Sequence, residues 1–173
     1  MKKLNQVVNE ATNTDLKIDI DINELSQLLL EALAEEYNAW YAYTIVIPFL
    51  FGQERKEVCE LYKETAEDEL NDHAAWLLER LSQLNVTPDR ILSPDDWNVI
   101  APHKYVKPDS SFNVVKSLQQ NIQAEKDAIE TYTKIEKILR DKDIVSHTKI
   151  KEILADEQEH LTDLEDLLND ITK

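Results

Sequence analysis

Four stretches of the chain repeat apolar residues at helical spacing, and each is bounded by turn formers. In the first, Leu25, Leu28, Leu29, Ala32, Ala39, Trp40, Tyr43 and Ile47 share a stripe. Asp21 or Asn23 is placed to cap its start, and the run reaches about Phe51, with Pro48 expected to bend or fray its last turns. Gly52 marks a tight connection, so a second helix over roughly residues 54–85 returns antiparallel. Pro88, Pro94, Pro102 and Pro108 gather in residues 86–110, which read as a long crossover with a short helical turn near Asp95. The pattern predicts a third helix from near Ser111 to near Arg140. A turn at Asp141-Lys142-Asp143 precedes a fourth helix over residues 144–170. Residues 1–22 form a polar tail with an extended-looking Leu16-Lys17-Ile18-Asp19-Ile20 stretch, ahead of a single domain over 23–173. The fold class is all-α: a four-helix bundle with a long crossover between helices 2 and 3.

Composition supports this reading. One glycine in 173 residues is too few for a turn-rich β protein, and Leu, Ala, Glu, Lys and Gln abound, as in long helices. A net charge of −16 argues against general affinity for nucleic acid or anionic lipid and suits a protein that gathers cations. Lys2 and Lys3 precede no apolar signal core, and no stretch is long and apolar enough to span a bilayer, so a cytoplasmic location is the expectation. Cys59, the single cysteine, excludes an internal disulfide framework.

The fourth helix carries the most informative group, Glu157-Gln158-Glu159-His160. Glu157 and His160, three apart, share the stripe of Ile150, Ile153, Leu154, Leu161, Leu164, Leu167 and Leu168. A carboxylate and an imidazole on a core-facing stripe are costly unless paired or bound to something. The other helices supply partners. Glu36-x-x-Ala39-x-x-x-Tyr43 in the first recurs as Glu125-x-x-Ala128-x-x-x-Tyr132 in the third, and the second offers Glu69 and His73. Two helices with one Glu each and two with a Glu/His pair make the ligand set of di-iron and di-manganese carboxylate bundles. Four carboxylates balance two divalent ions, and oxygen donors with one imidazole per metal suit ferrous iron or manganese better than structural zinc.

With these motifs in order over about residues 23–170, the chain resembles the ferritin superfamily. It is closest in pattern to the bacterioferritin-related and Dps-like group with a di-iron site inside each bundle. The stretches Asn121-Ile122-Gln123-Ala124-Glu125-Lys126-Asp127-Ala128-Ile129-Glu130-Thr131-Tyr132 and Ile153-Leu154-Ala155-Asp156-Glu157-Gln158-Glu159-His160 carry the resemblance. It implies a ferritin-like bundle whose ligands are Glu36, Glu69, His73, Glu125, Glu157 and His160. These would hold two Fe ions per subunit, with Mn possible. It further implies ferrous iron oxidation by peroxide or dioxygen, iron storage, protection against oxidative stress and a hollow homo-oligomer. Without a fifth short helix, a twelve-subunit cage is expected. No haem is expected, because Met1 is the only methionine, and no DNA coating, given two N-terminal lysines against a net −16. Alternatives are a non-catalytic metal-binding or structural bundle and a di-manganese catalase-like enzyme.

The second helix departs from the family spacing Glu-x-x-His, since Glu69 and His73 are four apart and position 70 is Leu. A regular helix separates such residues by about 40°; a one-residue π-bulge would restore the geometry; or Glu69 and Asp72 bind while His73 turns away. Glu69 with His73 is preferred.

Blander roles compete elsewhere. Glu35 could point inward in place of Glu36, and Arg80 is the one obvious cation for a structural pair with Glu125 or Glu157. Tyr43 and Tyr132 are expected chiefly as core residues, with a hydrogen bond to a ligand carboxylate as the lesser reading. Trp40 and Trp76 read as core or interface aromatics, and Cys59 as a small buried hydrophobe. His103 and His147 read as isolated and solvated. Trp97, Val99 and Ile100 are expected as exposed crossover residues available to partners. The thioferritins of the group carry a cysteine pair near the metals, which one cysteine cannot supply.

Overall fold

The structure is a computed structural model that describes residues 18–109 and 112–173. Met1, Lys2, Lys3, Leu16, Lys17 and Ser111 therefore lie outside the described residues. Helix α1 spans Ile22–Val46, and the Asp21 carboxylate caps it by accepting from Asn23 N at 2.8 Å and Glu24 N at 3.2 Å. It ends five residues before Phe51. Pro48 cannot donate to the α pattern, and Ile47–Phe49 tighten into a 3-10 turn. Gly52 then takes φ 126°, where a side chain is strained, and a Cβ there would lie 3.0 Å from Val114 Cγ2. That corner has room only for glycine.

The second rod has three parts: α2 over Arg55–Asp68, a π turn over Glu69–Ala74, and α3 over Ala75–Gln83. Of the three accounts of the Glu69–His73 spacing, the π turn is the one realised. Its wider loop absorbs one extra residue, so Glu69 and His73 both face inward. Asp72 points out instead and pairs with Lys149 Nζ at 2.9 Å.

The crossover contains a short 3-10 turn at Pro88–Arg90 and helix α4 at Trp97–Ile100. Exposure there is narrower than expected. Val99 is exposed, but Trp97 turns inward to stack on Tyr37 at 4.5 Å and meets Trp40 edge-on at 6.3 Å. Ile100 is half-buried. Flat aromatic surface on α1 is the reason, since burying an indole against it removes far more apolar area from water than an exposed tether would.

Helix α5 spans Val114–Leu139, capped by Asn113 through Lys116 N at 3.0 Å. After Asp141 in the left-handed region, α6 runs over Ile144–Thr172, capped by Asp143. The Arg80 guanidinium donates to that same Asp143 at 2.7 Å and to Ser146 Oγ at 2.9 Å. Its partner is thus a helix cap, and it forms no pair with Glu125 or Glu157. Ile18 and Ile20 pack on the core beside the α5–α6 turn, where Asp19 N donates to Lys142 O at 2.7 Å.

The four rods bury two apolar clusters. Leu25, Leu29, Leu33, Leu77, Leu81, Ile135, Leu139, Ile150 and Ile153 build one; Val46, Val58, Tyr62, Val114, Leu118 and Leu164 build the other. On every rod a buried glutamate lies between the two clusters, joined by a buried histidine on the second and fourth rods. A polar layer therefore divides the core across all four helices.

The π turn makes a testable statement about length. Deleting exposed Asn71 should return the second rod to a continuous α-helix with both apolar stripes in register, lowering Tm by only about 5 °C or less. Deleting Lys63 from regular α2 rotates everything after it by about 100° and should abolish cooperative thermal unfolding. Circular dichroism melts check both, and equal damage from the two deletions would contradict the role given to the π turn.

Candidate metal centre

The polar layer gathers Glu36 from α1, Glu69 and His73 from the π turn, Glu125 from α5, and Glu157 and His160 from α6, all buried. Their ligand atoms form two groups, each mutually within 4.8 Å: Glu36, Glu69, His73, Glu157 and Glu69, Glu125, Glu157, His160. Glu69 and Glu157 belong to both. Each group is completed by one Glu and one His, so the arrangement is two four-residue nests sharing two carboxylates.

His73 is fully buried, with Nδ1 3.1 Å from Glu36 Oε2, 3.1 Å from Glu69 Oε2 and 3.4 Å from Glu157 Oε1. His160 Nδ1 lies 3.6 Å from Glu69 Oε1 and 3.8 Å from Glu157 Oε2, too far for hydrogen bonds. Both His160 Nδ1 and Glu69 Oε1 are buried without a hydrogen-bond partner among the described residues. Orphaned donor atoms converging on one point, from residue types that bind divalent cations, fit a metal ion. No Lys or Arg among the described residues is paired with these carboxylates; Lys149 and Arg80 are engaged outside.

Outer partners hold the end ligands, and each comes from the opposite helical pair. Tyr43 of α1 donates its hydroxyl to Glu125 of α5, and Tyr132 of α5 donates to Glu36 of α1. Asp156 of α6 lies 3.4 Å from His73 Nε2, and Asp68 of α2 lies 3.6 Å from His160 Nε2. The repeated Glu-x-x-Ala-x-x-x-Tyr string thus makes reciprocal bonds across the bundle, so both tyrosines do more than fill the core.

Electrostatics follow from burial and crowding. Burial, then the charge of Glu157, holds the Glu125 carboxyl well above the usual range, while burial and Glu36 raise Glu69. Burial and the charge of Glu69 push Glu157 up, but the nearby His160 and His73 imidazoles and Glu125 outweigh them and hold Glu157 low. Burial lowers His160, yet Glu157 and Glu69 overcome it and raise the imidazole to about 11. His73 is raised likewise by Glu36, Glu157 and Glu69 against burial. Tyr43 and Tyr132 stay protonated because of burial and of the Glu125 and Glu36 carboxylates they face. Without a metal, the protonated imidazoles offset part of the layer's negative charge.

Several polar residues sit differently from the sequence reading. Glu35 is buried as well as Glu36; its Oε1 accepts from His103 N at 3.0 Å and pairs with His103 Nδ1 at 2.8 Å. His103 is therefore not isolated, and neither is His147, whose Nε2 lies 2.8 Å from Glu136 Oε1. No helical period could reveal the first contact, because it joins a helix to an irregular crossover 68 residues away. The second joins two helices across their turn, between residues 11 apart in the chain. Cys59 is buried in the cluster of Tyr62 and Leu118, outside the polar layer.

Residues 26–173 match the Ferritin family, a ferritin-like domain. No curated protein is significantly similar to the chain. Among solved structures, the bacterioferritin-related protein of Bacteroides fragilis, a dodecameric thioferritin, is 32% identical with a TM-score of 0.84. That match covers 99% of this chain and 95% of that one. A ferritin-like diiron-carboxylate protein of Bacillus anthracis is 25% identical at a TM-score of 0.68, covering 85% and 96%. Dps from Thermosynechococcus elongatus shares the fold at 17% identity and a TM-score of 0.75, covering 85% and 92%. With its four-helix connectivity and the family match over nearly the whole described bundle, the chain belongs to the ferritin-like domain family.

Proposed function

We propose that Glu36, Glu69, His73, Glu125, Glu157 and His160 bind two ferrous ions, bridged by Glu69 and Glu157, and that the protein oxidises them with peroxide or dioxygen. The observation that carries this reading is the pair of overlapping four-residue nests sharing two carboxylates. Binding two divalent cations to four carboxylates cancels their charge and displaces the protons of the two imidazoles. Reduction of one hydrogen peroxide to two waters takes two electrons and two protons, and two ferrous ions held side by side supply the electrons together. The residues orient this step: Tyr43 and Tyr132 fix the end carboxylates, and Asp68 and Asp156 fix the imidazoles so that Nδ1 faces inward. Oxidised iron is stored in a homo-oligomeric shell, for which the dodecameric relative supports twelve subunits. None of the described helices is long and apolar enough to cross a membrane.

Ferrous iron added anaerobically should bind at two per subunit and be oxidised rapidly on mixing with peroxide, as followed by stopped-flow absorbance. Glu125→Ala and Glu157→Ala should slow this by at least about a hundredfold while retaining helical circular dichroism. Oxidation at the parental rate by both would place the chemistry elsewhere. Tyr132→Phe removes one oxygen and should weaken metal binding by about tenfold, measured by competition with a chromophoric chelator.

Loading is linked to pH. Glu69, Glu125, His73 and His160 all carry raised pKa values without metal, and at neutral pH the two imidazoles hold protons that metal must displace. Pre-steady-state titration with Mn(II) in weak buffer should release protons, and apparent affinity should rise with pH. His160 gives the sign for the metal-free protein. A folded value raised to about 11 from 6.5 adds stability that is complete below 6.5 and is lost as pH climbs through about 11. Thermal melts across that range check it.

A further inference from the structure

One cavity of about 290 Å³ opens beside the polar layer, and Glu36, Glu69, Glu125 and Glu157 form one end of it. It runs outward between α1, α5 and the crossover past Ala39, Ala42, Ala124 and Ala128 to Val106, which is exposed. A succession of alanines on two facing helices leaves the volume empty. A cavity of about 150 Å³ holds benzene, so this one far exceeds what dioxygen or hydrogen peroxide requires. Its polar fittings are few. Glu35, 8% exposed, presents Oε2 with no donor in hydrogen-bonding geometry, and Asn38 Nδ2 is also buried without a partner. The single lysine on its wall, Lys104, spends its ammonium on Val99 O and Ala101 O at 2.8 and 2.6 Å. With carboxylates at its inner end and no free cation on its wall, the cavity repels anions. An organic molecule suited to it carries no negative charge, is apolar in body and is capable of hydrogen bonding.

We infer that this cavity admits the organic substituent of an alkyl or aryl hydroperoxide whose O–O bond reaches the metal-binding carboxylates. The inference rests on the ferroxidase reading and extends its oxidant to a bulkier class. An O–O bond must reach both metals to take their electrons, so its substituent occupies whatever space opens from them. A reductant of stored ferric iron needs only close approach and no such pocket. In the step, the O–O bond of ROOH breaks, two ferrous ions each give one electron, two protons are taken up, and ROH and water leave. Glu35 Oε2 and Asn38 Nδ2 offer an acceptor and a donor to the hydroperoxide and to the departing alcohol.

The test uses cumene hydroperoxide and its alcohol, 2-phenylpropan-2-ol. Saturation-transfer NMR should show the alcohol binding the metal-free protein, and Ala124→Trp or Val106→Trp, both at exposed positions of the cavity wall, should abolish that signal. In stopped-flow iron oxidation the parent should use both peroxides. Either variant should lose at least about tenfold with cumene hydroperoxide while changing less than about twofold with hydrogen peroxide. One 2-phenylpropan-2-ol should form per two ferrous ions oxidised. No alcohol binding, equal slowing of both oxidants, or acetophenone (the fragment of a one-electron alkoxyl radical) as main product would overturn the inference. It is also overturned if hydrogen peroxide works in the parent and cumene hydroperoxide does not. Failure of hydrogen peroxide itself in the parent marks the ferroxidase reading as the faulty step and removes the inference with it.

Discussion

Four carboxylates and two imidazoles converge inside the bundle with no lysine or arginine among the described residues to balance them, and the surrounding architecture follows from that crowding. At an effective dielectric of about 20, two like charges some 4–5 Å apart repel by about 3–4 kcal/mol. A few such pairs rival the total stability of a domain, about 5–15 kcal/mol. The layer must therefore hold protons or cations in the folded state. It must also be flanked by enough apolar packing to offset its cost, and two separate clusters on either side of it do so.

Placement of the six residues depends on local backbone as much as on packing. Glu36, Glu125 and Glu157 reach the layer from regular helices, whereas Glu69 and His73 require the π turn. The same turn sends Asp72 outward to Lys149, so the extra residue gives the site one inward imidazole and leaves an additional carboxylate in solvent. A fifth charge within the layer would have upset the match between four carboxylates and two divalent ions.

Much of this was legible in the sequence because it obeys helical periodicity. Asp21 caps α1 as one of the two expected candidates, the turn at Asp141–Asp143 precedes α6, and the inward Glu and His positions follow the stripes. Periodicity fell short where geometry leaves the regular helix. A spacing of four left three accounts of Glu69 and His73 open, since the sequence does not state the local hydrogen-bond pitch. The tyrosines share a stripe with their own glutamates, yet bond to the glutamate of the other half, a relation visible only once two helices face each other. Glu35 with His103, and Trp97 on Tyr37, join a helix to the irregular crossover, where no repeat constrains which side chain turns inward.

The exchange of tyrosines and aspartates across the bundle has a consequence for how the domain is divided. Neither hairpin, α1–α2–α3 nor α5–α6, contains both an end ligand and the group that orients it. Each hairpin does present the full alphabet: a Glu, a Glu/His pair, a Tyr and an Asp. Each half therefore carries the same set of site residues and supplies the orienting groups that the other half lacks. The crossover then joins two halves, neither of which can complete the polar layer without the other.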